Sequence, residues 1–458
     1  MVNSGNHRIR RVGPAVSTTT AGSGALMRFL ALLLLASPVA ADTRLPELLR
    51  GTDHTPALSG LQVTLLERGQ VVESHALGIA RITDGEVVAL RRDHKVRVAS
   101  ISKLLVALGI MRLVETSGLD LDTDVSDYLG WQLRNPAFPA QAITARQLLS
   151  HTSSIRDGDR YFIAAGRGAL RDFFDPASEF WDQGRHFATR EGEAPGRFFT
   201  YANLNFGVLG ELIEGLSGQR FDQYMTKEVL SPLGLTASFN PCDIGAEHLA
   251  TAFRKRDAAG AWNTAGDWVA QVDGSPLSCF YGAAELADPD AFLAGYAPGR
   301  NASLFSPQGG LRASADDLAT VLGMLAARGA IDRGRLLSER SVQDMLRPSW
   351  IINSRGDNGN SAGEAEPGGP TAGLMTAYGL SVHLIDMRAW GFDEGPERLV
   401  GHLGEAYGVL SHALLDPETG DGIVSIITGT ADDPARSPPG HSPLYRVEEE
   451  LLRWWVTR

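Results

Sequence analysis

The spacing of apolar and polar residues changes along this 458-residue chain. Residues 61–65 alternate between apolar and polar side chains, which predicts a strand with one buried face. A turn at 67–70 leads into a second strand, and another short pair of strands extends to about Val98. From Ser100 the apolar residues follow a helical spacing instead, and Gly118 stands where a helix commonly ends.

The middle of the chain is predicted to be mainly helical, and strands return towards its end. Residues 206–216 show an amphipathic helical pattern, and Ser314 stands where it would cap a further helix. Segments 409–416 and 422–428 predict a hairpin. Residues 444–455 predict a last helix with one apolar face, which suits a helix that covers a sheet.

Strands at both chain ends with helices between them indicate an α+β fold. We expect an antiparallel sheet built from both chain ends with flanking helices, and an inserted, mainly helical lobe. The sheet lobe would comprise about residues 55–104 and 305–458, and the helical lobe about residues 105–304.

The composition is that of an ordinary globular protein, with 43% hydrophobic and 21% charged residues. The formal net charge is −12, and no block of five or more basic residues occurs. Because nucleic-acid binding usually requires a basic face, we expect no nucleic-acid partner.

The first part of the chain resembles a targeting signal. Met27 and a following arginine precede an apolar run at 29–36, and small residues up to Ala41 provide a cleavage site. We therefore predict a signal peptide over residues 1–41, with Met27 as an alternative start, and a periplasmic or secreted protein. The apolar run is too short for a stable membrane anchor. The alternative is the start of a buried apolar helix.

The chain has two cysteines, Cys242 and Cys279. In an exported protein such a pair can form a disulfide, whereas in a cytosolic protein the two would be buried thiols. Export makes the disulfide the favoured prediction.

A serine and a lysine three residues apart carry the first chemical signal. Ser100 and Lys103 would lie on the same helical face, so that an amine stands beside a hydroxyl and can help to make it a nucleophile. The chain is poor in lysine, which makes this placement more informative. Alone the pattern is weak, because serine often caps helices.

Three further segments strengthen this interpretation. With the first motif they resemble the serine hydrolases of the class C β-lactamase and penicillin-binding DD-peptidase type, a group that also holds D-amino-acid-specific peptidases and esterases. The resemblance spans about residues 55–456, within a single hydrolase domain at 42–458. The segments are Gln147-Leu148-Leu149-Ser150-His151-Thr152-Ser153, Thr200-Tyr201-Ala202-Asn203 and Gly401-His402-Leu403-Gly404.

The resemblance implies a role for each residue of the two central motifs. Ser100 would be the acylated nucleophile, Lys103 its neighbouring amine and Tyr201 the proton shuttle. Asn203 would bind the substrate's amide side chain and hold Lys103 in place. Since an ammonium beside a phenol favours the phenolate, the base is a property of the lysine–tyrosine pair.

The third motif is implied to bind substrate along a strand edge. His402 and Gly404 would lie beside the substrate, and the main-chain N–H groups of Ser100 and Glu405 would form the oxyanion hole. We interpret His151 as structural. No metal or other cofactor is expected, and the partner would be a small ester, amide or peptide.

Departures from the family pattern shape the expected substrate. Ser153-Ser154 stands where serine-glycine is usual, Glu405 replaces a small residue, and His402 replaces a lysine. The loss of that fixed positive charge favours an esterase or D-amino-acid peptidase. The alternatives are a class C-like β-lactamase or DD-carboxypeptidase, and a non-catalytic relative that binds peptidoglycan or a partner.

Overall fold

The computed structural model describes residues 43–363, 371–438 and 440–458. The α-helices of this part are α1 (Arg44–Arg50), α2 (Ser102–Ser117), α3 (Ser126–Leu129), α4 (Ala145–Leu149), α5 (Leu204–Ser217), α6 (Phe221–Met225), α7 (Pro289–Ala294), α8 (Ala315–Ala326), α9 (Glu339–Leu346) and α10 (Arg446–Val456). The strands are β1 (Gly60–Glu67), β2 (Gln70–Thr83), β3 (Glu86–Ala89), β4 (Val96–Arg97), β5 (Ala252–Lys255), β6 (Trp268–Val272), β7 (Arg312–Ala313), β8 (Ala330–Ile331), β9 (Gly334–Arg335), β10 (Trp350–Ile351), β11 (Ala377–Tyr378), β12 (His383–Asp386), β13 (Arg398–Ala406), β14 (Val409–Leu415), β15 (Gly422–Ile427) and β16 (Gly429–Thr430).

Strands from both chain ends form one nine-stranded antiparallel sheet. Its order is β10-β11-β12-β13-β14-β15-β1-β2-β3, and the two chain ends meet where β1 pairs with β15. The predicted α+β fold is therefore confirmed, with the large sheet assembled from the two ends of the described chain.

Helices cover both faces of this sheet. On one face, α1 and α10 pack through leucines such as Leu48 and Leu451 against Leu61. On the other face, α2 and α8 join the larger core. As a result, β14 and β15 are buried along their whole length, on both faces.

The polar face of β1 is buried as well, which its alternating sequence did not indicate. Gln62 is 1% exposed, and its side chain accepts a hydrogen bond from Ala315 N and donates to His94 O. Thr64 Oγ1 donates to Asp316 Oδ1 across 2.7 Å. Polar side chains on this face therefore fasten the start of α8 to the sheet, since a buried polar group needs a partner.

The helix predicted from Ser100 begins two residues later. Ala99–Ile101 form a 3₁₀ turn, and α2 starts at Ser102. Its end agrees with the sequence, because Gly118 adopts the left-handed conformation with φ 69°. The nucleophile candidate therefore lies in a tight turn that leads into the helix.

The segment predicted as a mainly helical lobe contains two strands that its sequence pattern did not indicate. β5 and β6 pair with each other, and β16 pairs with β5 in parallel, giving a separate three-stranded sheet. Short elements with exposed residues give only a weak alternating pattern, as in β6.

The structure joins Cys242 and Cys279 through a disulfide, the pairing that the sequence predicted. The predicted signal peptide at 1–41 lies outside the described residues. No helix within the described ranges is long and apolar enough to cross a membrane.

Candidate active site

The candidate nucleophile occupies a turn that several backbone contacts hold in place. Ala99, just before Ser100, adopts φ 47°, a left-handed conformation that is uncommon for a residue with a side chain. Ser102 Oγ donates to Ala99 O at 2.7 Å and accepts from Leu311 N at 3.0 Å. Strained backbone of this kind persists where the surroundings fix it, and it often marks a functional site.

Lys103 has three hydrogen-bond acceptors around its buried amine. Its Nζ lies 2.9 Å from Ser100 Oγ, 2.8 Å from Asn203 Oδ1 and 2.7 Å from Gln308 O, and the residue is 0% exposed. An ammonium has three N–H bonds, so this arrangement satisfies each of them. The 3₁₀ turn and the first turn of α2 thus bring the predicted serine and lysine together.

Asp157 connects Asn203 to the start of α5. Asn203 Nδ2 donates to Asp157 Oδ2 at 3.0 Å, while Leu204 N donates to Asp157 Oδ1 at 2.8 Å. The Asp157 carboxylate therefore accepts a hydrogen bond from the first residue of α5. It also orients the Asn203 amide so that the amide oxygen faces Lys103. Sequence analysis missed Asp157, because it lies in an irregular segment 46 residues before Asn203.

Tyr201 lies next to Lys103 and against a buried histidine. Lys103 Nζ is 4.8 Å from the centre of the Tyr201 ring, and the His151 ring stacks on Tyr201 with centroids 4.2 Å apart. His151 Nδ1 also accepts from Ala202 N at 3.1 Å. His151 therefore supports the position of Tyr201, in line with the structural role expected for it.

The turn after His151 lacks its usual glycine, yet it keeps a glycine-like conformation. Ser154 adopts φ 69°. Its hydroxyl accepts from Asn135 Nδ2 at 3.0 Å, and its carbonyl accepts from Ala188 N at 2.8 Å. These contacts hold a conformation that is otherwise unfavourable for serine.

The second half of β13 passes close to the nucleophile turn. β12 pairs with β13 only from Arg398 to Gly401, so along residues 402–406 one edge of β13 is not paired with β12. A Cβ on Gly404 would lie 2.6 Å from Val98 O and 3.1 Å from Ser100 N. Glycine is therefore required for this approach, which brings the strand edge to the start of the turn.

His402 occupies a different place from the one the resemblance implies. It is 0% exposed and does not line the clefts beside Ser100. Its Nδ1 donates to Leu403 O at 2.6 Å, and its Nε2 accepts from Tyr378 Oη at 3.0 Å. The side chain lies behind β13 because both ring nitrogens find partners there, so direct contact with substrate is not supported.

Three buried histidines near Lys103 are held in the neutral form. Burial lowers the pKa of His402 and of His151 well below its ordinary value, and Lys103 acts in the same direction. Burial lowers the pKa of His383 to about 3. A second ammonium at position 402 would be buried in this cluster, so the His402→Lys exchange that the family pattern suggests would be unfavourable here.

Ser100 lies at the junction of two clefts. One has a volume of about 490 Å³, and its walls include Arg97, Asn203 and Tyr407. The other has a volume of about 400 Å³, and its walls include Tyr201 and Met375. An acyl group and a leaving group could thus extend in two directions from the serine hydroxyl.

Glu405 lines both clefts and is exposed. Its Oε1 accepts a hydrogen bond from Tyr445 Oη at 3.2 Å, on the side of the smaller cleft. The carboxylate that replaces the family's small residue is therefore drawn towards Tyr445. In the parts of the chain that the structure describes, no group of three or more metal-binding side chains occurs.

A family model named Beta-lactamase matches residues 45–445. The chain belongs to the beta-lactamase family. Members of this family with this fold are serine hydrolases that act on amide or ester bonds. The match covers all four motifs, and the predicted resemblance is confirmed.

Curated relatives match about two fifths of the chain. Penicillin-binding protein 4 of Amycolatopsis lactamdurans is 30% identical over 192 residues, which cover 42% of this chain and 46% of the relative. Penicillin-binding protein 4* of Bacillus subtilis (strain 168) is 29% identical over 177 residues, which cover 38% and 36%. The chain thus matches less than half the length of these relatives.

Solved structures share the fold at low sequence identity. The octameric penicillin-binding protein homologue from Pyrococcus abyssi aligns with TM-score 0.56 and 21% identity, covering 82% of this chain and 71% of that one. D-amino acid amidase from Ochrobactrum anthropi SV3 aligns with TM-score 0.55 and 19% identity, covering 88% and 96%. At such identities the likeness concerns the fold alone.

Proposed function

We propose that this protein hydrolyses ester or amide bonds through an acyl-enzyme on Ser100. The observation that carries the proposal is the contact of Lys103 Nζ with both Ser100 Oγ and Asn203 Oδ1, at the junction of two clefts. A serine hydroxyl needs an adjacent base to act as a nucleophile at neutral pH, and this arrangement provides a candidate pair.

The proton of Ser100 would pass to the pair formed by Lys103 and Tyr201. Three acceptors around Nζ suit a lysine that stays protonated, which makes a tyrosinate the better proton acceptor. Ser100 Oγ would attack the carbonyl carbon while the proton moves to Tyr201, and the leaving group would take it back as its bond breaks. Water would then release the acyl group by the same route in reverse.

The oxyanion would form between the nucleophile turn and β13. The proximity of Gly404 to Ser100 N supports a pair of main-chain donors at Ser100 and Glu405. Fixed N–H groups of this kind stabilise the developing negative charge and commonly contribute a factor of about 10² to 10³ to turnover.

The substrate class that we favour is an ester or an amide of a D-amino acid. Some relatives are named penicillin-binding proteins and a structural neighbour is named a D-amino acid amidase, which supports acyl transfer on compounds of this kind. His402 is neutral and buried, so it supplies no charge for the carboxylate of a penicillin. A class C-like β-lactamase or a DD-carboxypeptidase is the second candidate, and a non-catalytic relative is the third.

Covalent labelling tests the acyl-enzyme directly. A fluorophosphonate should add one adduct to the wild type by intact mass, and Ser100→Ala should remove it with the thermal unfolding temperature unchanged. Ser117→Ala, at the exposed end of α2, the helix that follows Ser100, is the matched control and should label normally. Equal labelling of Ser100→Ala would show that the nucleophile is misassigned, and no labelling of the wild type would favour the non-catalytic relative.

Kinetic comparison tests the substrate class. We expect higher kcat/KM values for a short-chain aryl ester and for a D-amino acid amide than for nitrocefin. A clear preference for nitrocefin would favour the β-lactamase.

A further inference from the structure

An arginine in the larger cleft has the properties of a recognition group for an anion. Arg97 is the last residue of β4, three residues before Ser100, and it lines the same 490 Å³ cleft. Its guanidinium lies over the ring of Tyr407, with 4.9 Å between the guanidinium carbon and the ring centre. This stacking holds the planar group in a defined orientation at the end of the β13 edge.

The neighbouring arginine is already neutralised, whereas Arg97 is not. Arg312 Nε and Nη2 donate to the two carboxylate oxygens of Asp273 at 3.0 and 2.7 Å, and Nη1 donates to Gly310 O at 2.7 Å. Within residues 43–363, 371–438 and 440–458, Arg97 has no carboxylate partner, and its buried Nε has no hydrogen-bond partner. Asp273 is thus paired with Arg312, and the group formed by Arg97, Arg312 and Asp273 keeps one net positive charge.

Arg97 keeps its charge under ordinary conditions. Burial and the neighbouring Arg312 lower its pKa to about 10, which still leaves the guanidinium protonated at neutral pH. The nearest acidic side chain of β13, Glu405, is drawn by Tyr445 towards the other cleft. A half-buried, unpaired cation beside a nucleophile is costly to retain unless an anion completes it.

We propose that Arg97 determines specificity by binding a carboxylate of the substrate in the larger cleft. The proposal rests on acylation at Ser100 and adds the substrate class, namely esters or amides that carry a carboxylate. Guanidinium and carboxylate match as planar, bidentate partners, and the open N–H groups of Arg97 suit such a pair. His402 supplies no charge, so Arg97 is the cation that faces this cleft beside Ser100.

Two matched pairs of esters test this, because the carboxylate belongs either to the acyl group or to the leaving group. The first pair is p-nitrophenyl pentanoate and the mono-p-nitrophenyl ester of glutaric acid. The second pair is phenyl acetate and 3-carboxyphenyl acetate. We expect Arg97→Gln to lower kcat/KM for the charged member of at least one pair by about 10- to 100-fold, as loss of a charge-assisted hydrogen bond does, with less than about twofold change for its neutral partner.

Two variants complete the design. Arg97→Lys should restore part of the preference, since it keeps the charge without the bidentate geometry. Arg68→Gln makes the same charge change at an exposed turn that lines neither cleft and should leave both ratios unchanged. Equal losses on charged and neutral esters, or no change in either ratio, would overturn the assignment of Arg97.

Two further measurements distinguish a failure of the proposed acylation at Ser100 from a failure of the proposed role of Arg97. Fluorophosphonate labelling of Ser100 needs no carboxylate, so Arg97→Gln should label at the wild-type rate. Calorimetric binding of N-acetyl-D-alanine and its amide to Ser100→Ala measures recognition without any acylation. Binding of the acid that Arg97→Gln abolishes supports the proposal even if labelling fails, whereas no preference for the acid over the amide would overturn it.

Discussion

Helix α5 has two buried polar clusters, and burial affects the charge of their groups differently. The cluster at its start, which includes Lys103, is called the cation end, and the cluster in its last two turns, which includes Glu211, is called the acid end. At the start, Asn203 helps to surround the Lys103 amine with one acceptor for each N–H of an ammonium. In the last two turns, burial raises the pKa of Glu211 to about 8 and that of Glu214 to about 7. The same helix therefore surrounds a buried cation with partners at one end and raises the pKa of two buried acids near the other.

The difference follows from the partners at each end. Glu211 accepts one backbone hydrogen bond, from Ala302 N at 3.0 Å, and the nearby Glu214 raises its pKa further. Glu214 accepts three hydrogen bonds, which lower its pKa, and its pKa is raised less than that of Glu211. A buried charge is retained where several partners compensate its desolvation, and otherwise the group neutralises. Burial alone thus does not mark a functional group, whereas burial with full pairing at a cleft does.

Breaking the cation end should have the largest effect. We expect Lys103→Met and Tyr201→Phe each to lower kcat/KM for an aryl ester by about 10³-fold, because each removes one half of the proton-transfer pair. The double variant should lose little more than either single one, since groups that act as a unit are strongly non-additive. Steady-state kinetics on the four proteins checks this, with thermal unfolding as the folding control. Losses that multiply in the double variant would contradict a shared proton.

A smaller change at the same end tests positioning. Asp157→Asn keeps an oxygen for Leu204 N but turns an N–H group towards Asn203 Nδ2, so two donors face each other. If Asn203 flips to avoid this, its amide N–H groups face Lys103 Nζ instead. Either way one contact is lost, and we expect kcat to fall by about tenfold with KM nearly unchanged, a cost near that of one hydrogen bond to a charge.

The control for this variant is Asp288→Asn. Asp288 caps α7 by accepting from Ala291 N, is exposed and lines neither cleft, so its exchange makes the same charge change away from Lys103. It should leave kcat unchanged. An Asp157→Asn variant with wild-type kcat would show that the Asn203 amide needs no fixed orientation.

Asp157 also shows where sequence reasoning reached its limit. The motifs at 100–103 and 201–203 can be recognised in the sequence, because their short spacing at helix starts determines which side chains meet. Asp157 joins the site through a loop whose polar residues follow no periodic pattern, and nothing local distinguishes it from a solvated aspartate. The small sheet of β5, β6 and β16 was missed because its strands are short and give a weak pattern, and because β16 is remote in sequence from the other two.

At the acid end, a change of pH should alter the free energy of unfolding rather than the rate of hydrolysis. The pKa of Glu211 is raised in the folded protein, so its contribution to stability is full below its unfolded value and is lost as pH rises towards 8. Compared with the wild type, Glu211→Gln should gain about 3 kcal/mol more free energy of unfolding at pH 8 than at pH 5.5, because glutamine keeps the oxygen for Ala302 N and cannot ionise.

Chemical denaturation at the two pH values checks this, and Glu179→Gln, at an exposed position, is the matched control. Wild-type and Glu211→Gln proteins with the same pH dependence of unfolding would show that the acid end is compensated after all. That result would also show that the two ends of α5 do not differ in how their buried charges are compensated.

His402 was placed correctly in the strand and incorrectly in relation to the substrate. Its position in β13 follows from the pattern at 398–406, but a strand residue can face either side, and only the packing of Tyr378 shows which. Little fixed positive charge was expected beside the substrate, because histidine replaces lysine at position 402. Arg97 was missed because its spacing from Ser100 fits none of the recognised motifs, yet it lines the larger cleft.

The smallest expected effect concerns the pH dependence of the cation end. His151, His383 and His402 all have lowered pKa values, that of His383 to about 3, because they are buried and lie near Lys103. Protonating any of them would add charge beside an ammonium, so none should titrate near the ordinary histidine value of about 6.5. We therefore expect the profile of kcat/KM between about pH 5.5 and 8 to keep its shape in His383→Gln, whatever limbs Lys103 and Tyr201 contribute. A wild-type limb with a midpoint near 6.5 that disappears in this variant would show that a buried histidine exchanges protons with the site, and that the cation end is less fully compensated than its contacts indicate.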